Sequence, residues 1–463
     1  MRIHHVVLLM YAVIILPMNV MASDPFSTEG LIEHGRTEQF IKLDQAADVD
    51  HCNKGKILLP LMLADVVDLA LCNNPQTRSL WASARGQAAQ VGVSTAAYLP
   101  TLSALGSVSN TQSQAGSQAQ VSSLSQTASL SVSYLLYDFG GRSAALDNAK
   151  QLLIAANATR DAALQSNFLG AVQAYYALLS ARASVQSYQV DELKAQESMA
   201  AAQARYQAGV ATPVDRLQAQ TTLSQAQLNR IRGEGDASNA QGTLANIMGF
   251  DASQPYTLQD LAEQSPDPAI ERDIGKLIAE ARQKRPDLAA AESQIKAAEA
   301  QLQAAKATGR PTITVGAMAG VSNPDIQSSS LGITLSVPLF SGFKTNYQTR
   351  AAEAQVEGRL AERDRLAIQI ALDVWKAYQG MLTNSQALRA ADDLVLAATQ
   401  SEKMILGRYK AGVGNILDTL TAQSSLATAR QQRVATLYSF LTSRFALAQA
   451  IGQLDLTQID SRN

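Results

Sequence analysis

The feature that most constrains this chain is an internal repeat. Arg205-Tyr206-Gln207-Ala208-Gly209-Val210 recurs 203 positions later as Arg408-Tyr409-Lys410-Ala411-Gly412-Val413. Asp215, Leu217, Ala219 and Gln220 return at the same offset as Asp418, Leu420, Ala422 and Gln423, and Gly249 returns as Gly452. Leu136-Tyr137 returns as Leu339-Phe340. Asn74-Pro75 through Pro100-Thr101 recurs as Arg285-Pro286 through Pro311-Thr312, with the prolines 25 residues apart in both copies. The 463 residues therefore hold two copies of one unit, 62–250 and 275–452, joined by a linker, 251–274, that contains Pro255, Pro266 and Pro268. Repetition on this scale signals a symmetric or quasi-symmetric assembly.

Each copy reads in the same order. A helical pattern rich in Ala, Gln and Leu covers 62–98 and 275–308 and stops at Pro100 and Pro311. Two strand patterns flank a polar loop. A very long helical pattern follows, 141–207 and 344–409, then an Ala-Gly-Val turn and a last helix, 213–249 and 416–451. At ~1.5 Å per residue the long helix spans on the order of 100 Å, and each shorter helix about half that. A helical layer of nearly constant height is expected. The long helix is apolar on two sectors, Leu366-Ile370-Val374-Tyr378 and Ile368-Leu372-Trp375-Leu382. Two stripes suit a helix with neighbours on both sides, as in the wall of a helical barrel; burial in an ordinary bundle is the alternative.

The strand patterns read as membrane strands. In 127–136, Ala128, Leu130, Val132, Tyr134 and Leu136 share one face and Thr127, Ser129, Ser131 and Ser133 the other. In the second copy Leu331, Ile333, Leu335, Val337 and Leu339 alternate with Gly332, Thr334 and Ser336. The partner strands, 101–109 and 312–321, alternate less cleanly. About ten residues is the length of a tilted transmembrane β-strand. No charged residue occurs from Gly86 to Tyr137, and only Asp325 between Pro311 and Phe343. A charge on a lipid face costs a few kcal/mol near the midplane, which accounts for that absence. Four strands leave two edges that hydrocarbon cannot satisfy, so closure needs more than one chain. Two chains would make an eight-stranded barrel filled by side chains; three would make twelve strands around a water channel lined by the Ser/Thr face.

The N-terminus reads as an export signal, 1–22: Arg2, His4 and His5, an apolar run from Val6 to Leu16, and cleavage after Ala22. The run is too short for a membrane anchor. Residues 23–61 form a periplasmic extension and 453–463 a C-terminal tail. In an oxidising compartment Cys52 and Cys72, 20 positions apart, read as one disulfide, the alternative being two separate buried thiols. The formal net charge of −2 excludes the basic footprint of a nucleic-acid binder.

With these features assembled, the chain resembles the TolC-like outer membrane factor family over residues 60–452. The resemblance rests on the tandem repeat, the Leu-Tyr-Asp-Phe-Gly-Gly opening of the first long helix (136–141), its Pro-Leu-Phe-Ser-Gly counterpart (338–342), and the Arg-Tyr-x-Ala-Gly-Val turns. It implies an α+β membrane fold: a trimeric, 12-stranded outer-membrane β-barrel with four strands per chain, continued by a long periplasmic α-helical barrel. It further implies a homotrimer in outer-membrane lipid. Its partners would be a periplasmic adaptor and an inner-membrane ABC or proton-driven transporter. The cargo would be secreted proteins, small toxic compounds, or both, and the cysteine arrangement tilts toward protein export.

By that resemblance the turns form the periplasmic tip, where the pore closes and an adaptor docks through Arg205, Ala208, Gly209 and Val210 and through Arg408, Ala411, Gly412 and Val413. Gly209 and Gly412 equally suit helix C-termini, and Pro213 a first helical turn. Asp215 and Asp418 suit the positive ends of the following helices. On a threefold axis Asp418 would also form a carboxylate ring that attracts cations. The resemblance implies a bond from Asp215 to Tyr409 that restrains the gate. The family pattern has an arginine where this chain has Gly414 and a second acidic ring where it has Thr421; Arg216 or Lys410 is the expected substitute for that arginine.

The sequence offers no enzyme signature. Past residue 22 the only histidines are His34 and His51, and neither a phosphate loop nor a Gly-x-Ser-x-Gly elbow occurs. No cofactor is expected. The competing readings are a self-assembling helical filament and a passive porin-like channel.

Overall fold

The structure is a computed structural model that describes residues 60–113, 121–259, 273–322 and 326–454, together with Thr28. The signal peptide, Cys52, Asp325 and most of the N-terminal extension and C-terminal tail lie outside the described residues. In chain order the elements are α1 (Leu63–Asn73), α2 (Pro75–Ala96), β1 (Thr101–Ser113), β2 (Val121–Tyr137), α3 (Gly141–Gln207), α4 (Pro213–Ile247), α5 (Ile274–Lys284), α6 (Pro286–Ala307), β3 (Thr312–Ser322), β4 (Ile326–Ser336), α7 (Lys344–Lys410) and α8 (Ile416–Ile451). The repeat is thus structural: two short helices, two strands, a helix of 67 residues, and a last helix of 35 or 36.

The first helical pattern of each copy is two helices, not one. The residue before a proline is driven out of the helical region, because the ring crowds its N–H and Cβ. Accordingly Asn74 and Arg285 are extended, with ψ of 124° and 123°. Each break is also a docking point. Gly249 and Gly452, just past the last helix of each repeat, have φ of +78° and +76°. A Cβ on Gly249 would lie 2.8 Å from the Asn73 carbonyl, and one on Gly452 3.0 Å from the Lys284 carbonyl carbon. Both the left-handed turn and the close approach require glycine, which explains why these two residues repeat.

Two compact units divide the described residues. The first holds 83–157 and 292–360. Its centre is a four-stranded sheet in the order β1-β2-β3-β4, with every neighbouring pair antiparallel. The strands run longer than the alternation alone indicates, and β4 ends at Ser336, so Val337 and Leu339 fall beyond it. Register keeps like with like. Leu102, Val132, Ala317 and Leu331 form one row across the sheet, and Ser103, Ser131, Met318 and Ser330 form the next. Hydroxyls pair across strands on the polar face, Ser103 with Ser131 and Ser107 with Thr127, both at 2.7 Å. The apolar face is open, with Leu331 80% exposed.

The passage from β2 into α3 explains the Leu-Tyr-Asp-Phe-Gly-Gly motif. The Asp138 carboxylate accepts from the Arg142 backbone N–H at 2.6 Å, capping the helix. Phe139 and Gly140 both take positive φ. At the equivalent joint Gly342 and Phe343 do the same with the residue order exchanged. Arg142 donates to the Leu136 carbonyl at 3.1 Å and lies 4.8 Å from the Tyr98 ring centre.

The second unit comprises 60–82, 158–259, 273–291 and 361–454 of the described residues. Its core is built from Leu164, Phe168, Val172 and Tyr175 of α3, Leu244 of α4, Ile370 and Val374 of α7, and Phe440 of α8. The first apolar stripe of α7 is buried here. Of the second, only Leu382 packs against this core, and Ile368 is 71% exposed. No helix among the described residues is long and apolar enough to cross a membrane.

Gly249→Ala should destabilise the chain by at least about 1–2 kcal/mol, the cost of a left-handed residue bearing a Cβ, with the backbone contact adding to it. Gly452→Ala should behave alike. Thermal unfolding in detergent checks both, with Gly235→Ala, exposed within α4 and expected to stabilise slightly, as the contrasting substitution.

Candidate functional site in the helix-helix turns

The α3–α4 and α7–α8 turns share one backbone solution. A helix that ends in the open leaves carbonyls unpaired, and a left-handed residue lets the chain fold back to satisfy them. Gly209 at φ +72° and Gly412 at φ +78° supply it. The Val210 N–H then donates to the Arg205 carbonyl at 3.0 Å, and the Val413 N–H to the Arg408 carbonyl at 3.1 Å. Ala208 and Ala411 donate to Ala204 and Gly407. Val210 and Val413 are exposed, so both turns carry an apolar tip.

The restarting helices are capped differently. Thr212 and Asp215 form a reciprocal box: the Asp215 N–H donates to Thr212 Oγ1 at 3.2 Å, and the Thr212 N–H and Oγ1 donate to Asp215 Oδ2 at 2.8 and 2.9 Å. In the second turn the Asn415 side chain accepts from the Leu417 N–H at 3.1 Å. Asp418 is exposed and makes no hydrogen bond or ion pair among the described residues. It lines an open groove of about 540 Å³ between α7 and α8, shared with Arg408, Gly414 and Thr421.

Tyr409 is buried against Ala202, Ala219, Ile416 and Leu420. Its partner is Arg205, whose Nη1 donates to the Tyr409 carbonyl at 3.3 Å and whose guanidinium carbon lies 4.7 Å from the ring centre. A cation at the carbonyl end of a helix is favoured by the helix dipole, and the ring face adds a cation–π contact. Asp215 is not brought to Tyr409: its carboxylate is taken by Thr212. Arg216 lies 5.2 Å from the Tyr206 ring centre, so it does not stand in for the family arginine at Tyr409.

Three further contacts tie α3 to the second repeat. Ser198 donates to Gln423 Oε1 at 3.0 Å, Lys194 pairs with Glu402 at 3.0 Å, and Arg430 with Asp191 at 3.5 Å. Burial pushes the Asp191 pKa up from its ordinary value, against the pull of Arg430 and Lys194. The Thr-x-x-Asp box is a local signature that sequence could have supplied. The Arg205–Tyr409 and Ser198–Gln423 contacts join residues more than 200 positions apart and leave no local signal.

Gly414 is where tight packing replaces a side chain. A Cβ there would sit 2.9 Å from the Tyr409 backbone nitrogen. The turn therefore closes on its own backbone where the family pattern carries arginine. The equivalent residue in the first turn, Ala211, does carry a Cβ.

The family model described as outer membrane efflux protein matches residues 66–250 and 277–453, the two repeats. Protein CyaE of Bordetella pertussis is 31% identical over 412 residues, covering 86% of each chain. Alkaline protease secretion protein AprF of Pseudomonas aeruginosa is 24% identical over 347 residues, 71% of this chain and 70% of its own. Among solved structures, the CmeC outer membrane channel of Campylobacter jejuni superposes with a TM-score of 0.75 at 18% identity, covering 86% of this chain and 88% of its own.

Gly414→Ala should loosen the second turn, and Gly414→Arg should do so more strongly, because backbone must move to admit the Cβ. Limited proteolysis should cut the variants faster within 411–415, while Ala211→Gly leaves the digestion pattern unchanged.

Proposed function

The chain belongs to the outer membrane efflux protein family, and on that premise we propose that three copies close a twelve-stranded barrel in the outer membrane, continued by a periplasmic α-helical barrel. The protein is an outer-membrane channel component of an export system, with a large periplasmic portion. An adaptor protein and an inner-membrane ABC or proton-driven transporter complete the system and supply the energy. The cargo is secreted protein, small toxic compounds, or both; the likeness to AprF supports the first.

The observation that carries the barrel is the sheet. Its apolar rows are exposed, its polar face is tied by hydroxyl pairs, and β1 and β4 each have only one neighbour among the described strands. In hydrocarbon both edges must be paired, and identical chains supply the missing strands. Exposed aromatic pairs stand where strands pass into helices: Tyr137 with Phe139 at 4.7 Å, and Phe340 with Phe343 at 5.6 Å. Such residues suit the girdle at a membrane–water interface.

The turns are the periplasmic tip in this reading. Arg205, Ala208, Gly209 and Val210, with Arg408, Ala411, Gly412 and Val413, offer the adaptor an apolar point flanked by arginines. Tyr409 restrains the gate through Arg205. Asp215 contributes by holding the cap of α4, and the uncommitted carboxylate of Asp418 forms the selectivity ring. The disulfide joins Cys52 to Cys72; Cys72 is disulfide-bonded, and Cys52 lies outside the described residues.

Protein extracted from outer membranes in mild detergent should have the mass of three chains after correction for bound detergent; a single-chain mass would end the barrel reading. In planar bilayers Asp418→Asn should lower cation selectivity at unchanged oligomeric mass, and unchanged selectivity would remove Asp418 from the pore.

A further inference from the structure

The strands, nearly free of charge, meet the helices in a collar of cations. The joints, with roughly two helical turns beyond each, cover 89–98, 138–148, 300–310 and 341–351. They hold five cations and two carboxylates. The other ends of the strands differ. The connections 114–120 and 323–325 contain no Lys or Arg, and their one charge is Asp325. The four joints lie side by side, in the order of the strands. Arg142 Nη1 donates to the Ala97 carbonyl at 3.4 Å, which links the second joint to the first. Arg310 Nη1 donates to the Phe139 carbonyl at 3.1 Å, which links the third to the second. A Cβ on Gly309 would lie 2.9 Å from Thr345 Cγ2, so the residue before Arg310 touches the residue after Lys344.

The two repeats handle this charge differently. In the first, Arg142 is engaged within the chain: its Nε lies 3.6 Å from Asp138, its guanidinium donates to two backbone carbonyls, and it lies over the Tyr98 ring. The 203-residue offset turns Asp138 and Arg142 into Ser341 and Thr345, so both members of that ion pair disappear together. Lys344 stands where the first repeat has Gly141, a cation added with no carboxylate to answer it. Arg310, Lys344 and Arg350 are exposed and make no ion pair among the described residues. Exposed rings are interleaved with them: Phe340, Phe343 and Tyr347, the last 5.8 Å from the Arg350 guanidinium carbon.

We propose that the second-repeat joints, through Arg310, Lys344 and Arg350, bind the headgroup phosphate of an anionic phospholipid in the periplasmic leaflet of the outer membrane. The site rests on the membrane strands proposed above and gives them a ligand. Cations beside an apolar face attract anionic headgroups, and long side chains carry the charge into the polar layer while their methylenes stay on apolar surface. Aromatic rings at the same level set the depth. An arginine fork matches two phosphate oxygens, and a lysine adds a point charge. A zwitterionic headgroup brings its own ammonium, which the collar repels. Lipopolysaccharide lies against the opposite ends of the strands, where the chain offers a carboxylate and no cation.

The test uses the full-length protein, stripped of native lipid in mild detergent and titrated with dioleoyl phosphatidylglycerol, dioleoyl phosphatidylcholine or lipid A. Native mass spectrometry reads the bound lipid and the number of chains together. Phosphatidylglycerol should bind roughly tenfold or more tighter than phosphatidylcholine, and Arg310→Gln/Lys344→Gln/Arg350→Gln should abolish that preference. Lys276→Gln/Arg389→Gln/Lys403→Gln removes the same charge at exposed positions of the second unit and should leave the preference intact. Equal losses in the two triple variants, or equal affinity for the two phospholipids, at a native mass of three chains overturn the site and leave the barrel standing. Lipid A that outcompetes phosphatidylglycerol on the native protein but not on the joint variant overturns the choice of leaflet. A native mass of one chain overturns the barrel and the site together. A second measurement needs no variant. Phosphatidylglycerol carrying a diazirine in its headgroup, photolysed with the native protein in liposomes, should label 308–310 and 341–350. Label confined to 114–120 and 323–325, or equal at both ends of the strands, would overturn the site.

Discussion

A β-sheet in hydrocarbon has nowhere to leave an unpaired N–H or C=O. That constraint organises this protein. The four strands of one chain satisfy one another in an antiparallel run, but β1 and β4 each keep an outward edge. Water would satisfy those edges in a soluble domain. Lipid cannot, and the exposed apolar rows suit a hydrocarbon setting. In the proposed oligomer, closure by identical chains would meet both demands, and the helices too would have to present complementary faces from copy to copy. Within one chain, Ile368, Leu372 and Trp375 of the second stripe of α7 are exposed and the groove between α7 and α8 is open.

The two repeats show how one structural solution tolerates different side chains. Each strand-to-helix joint needs two consecutive positive-φ residues, and one copy uses Phe139-Gly140 where the other uses Gly342-Phe343. Both helix–helix turns need a left-handed glycine, but one helix restarts on a Thr–Asp box and the other on Asn415. The identical positions are those where backbone geometry admits a single residue type: Gly209 with Gly412, and Gly249 with Gly452. The variable positions are those where two side chains can change together.

That distinction bears on the α7–α8 turn. At the position where the family pattern carries an arginine, Gly414 packs directly on the Tyr409 backbone. Tyr409 is held instead by Arg205, from the other repeat of the same chain. The Asp215 carboxylate completes a helix cap with Thr212, and Asp418 makes no hydrogen bond or ion pair among the described residues.

The sequence alone determined the tandem repeat, the strand alternation, the long helices, the turn glycines and the family. Each of these is a local pattern: period 2, period 3.6, or a positive-φ requirement that only a few residues meet. It also held the helix break at Pro75 and Pro286, a local effect that a reading by composition passes over. Tertiary structure decided the partners. That Arg205 meets Tyr409, that Asp215 turns to Thr212, and that Gly414 has no room for a Cβ all depend on segments far apart in the chain. Periodicity says which face of a helix is apolar. It does not say which neighbour covers that face, because many neighbours offer the same hydrophobic gain, and only packing and hydrogen-bond geometry choose among them.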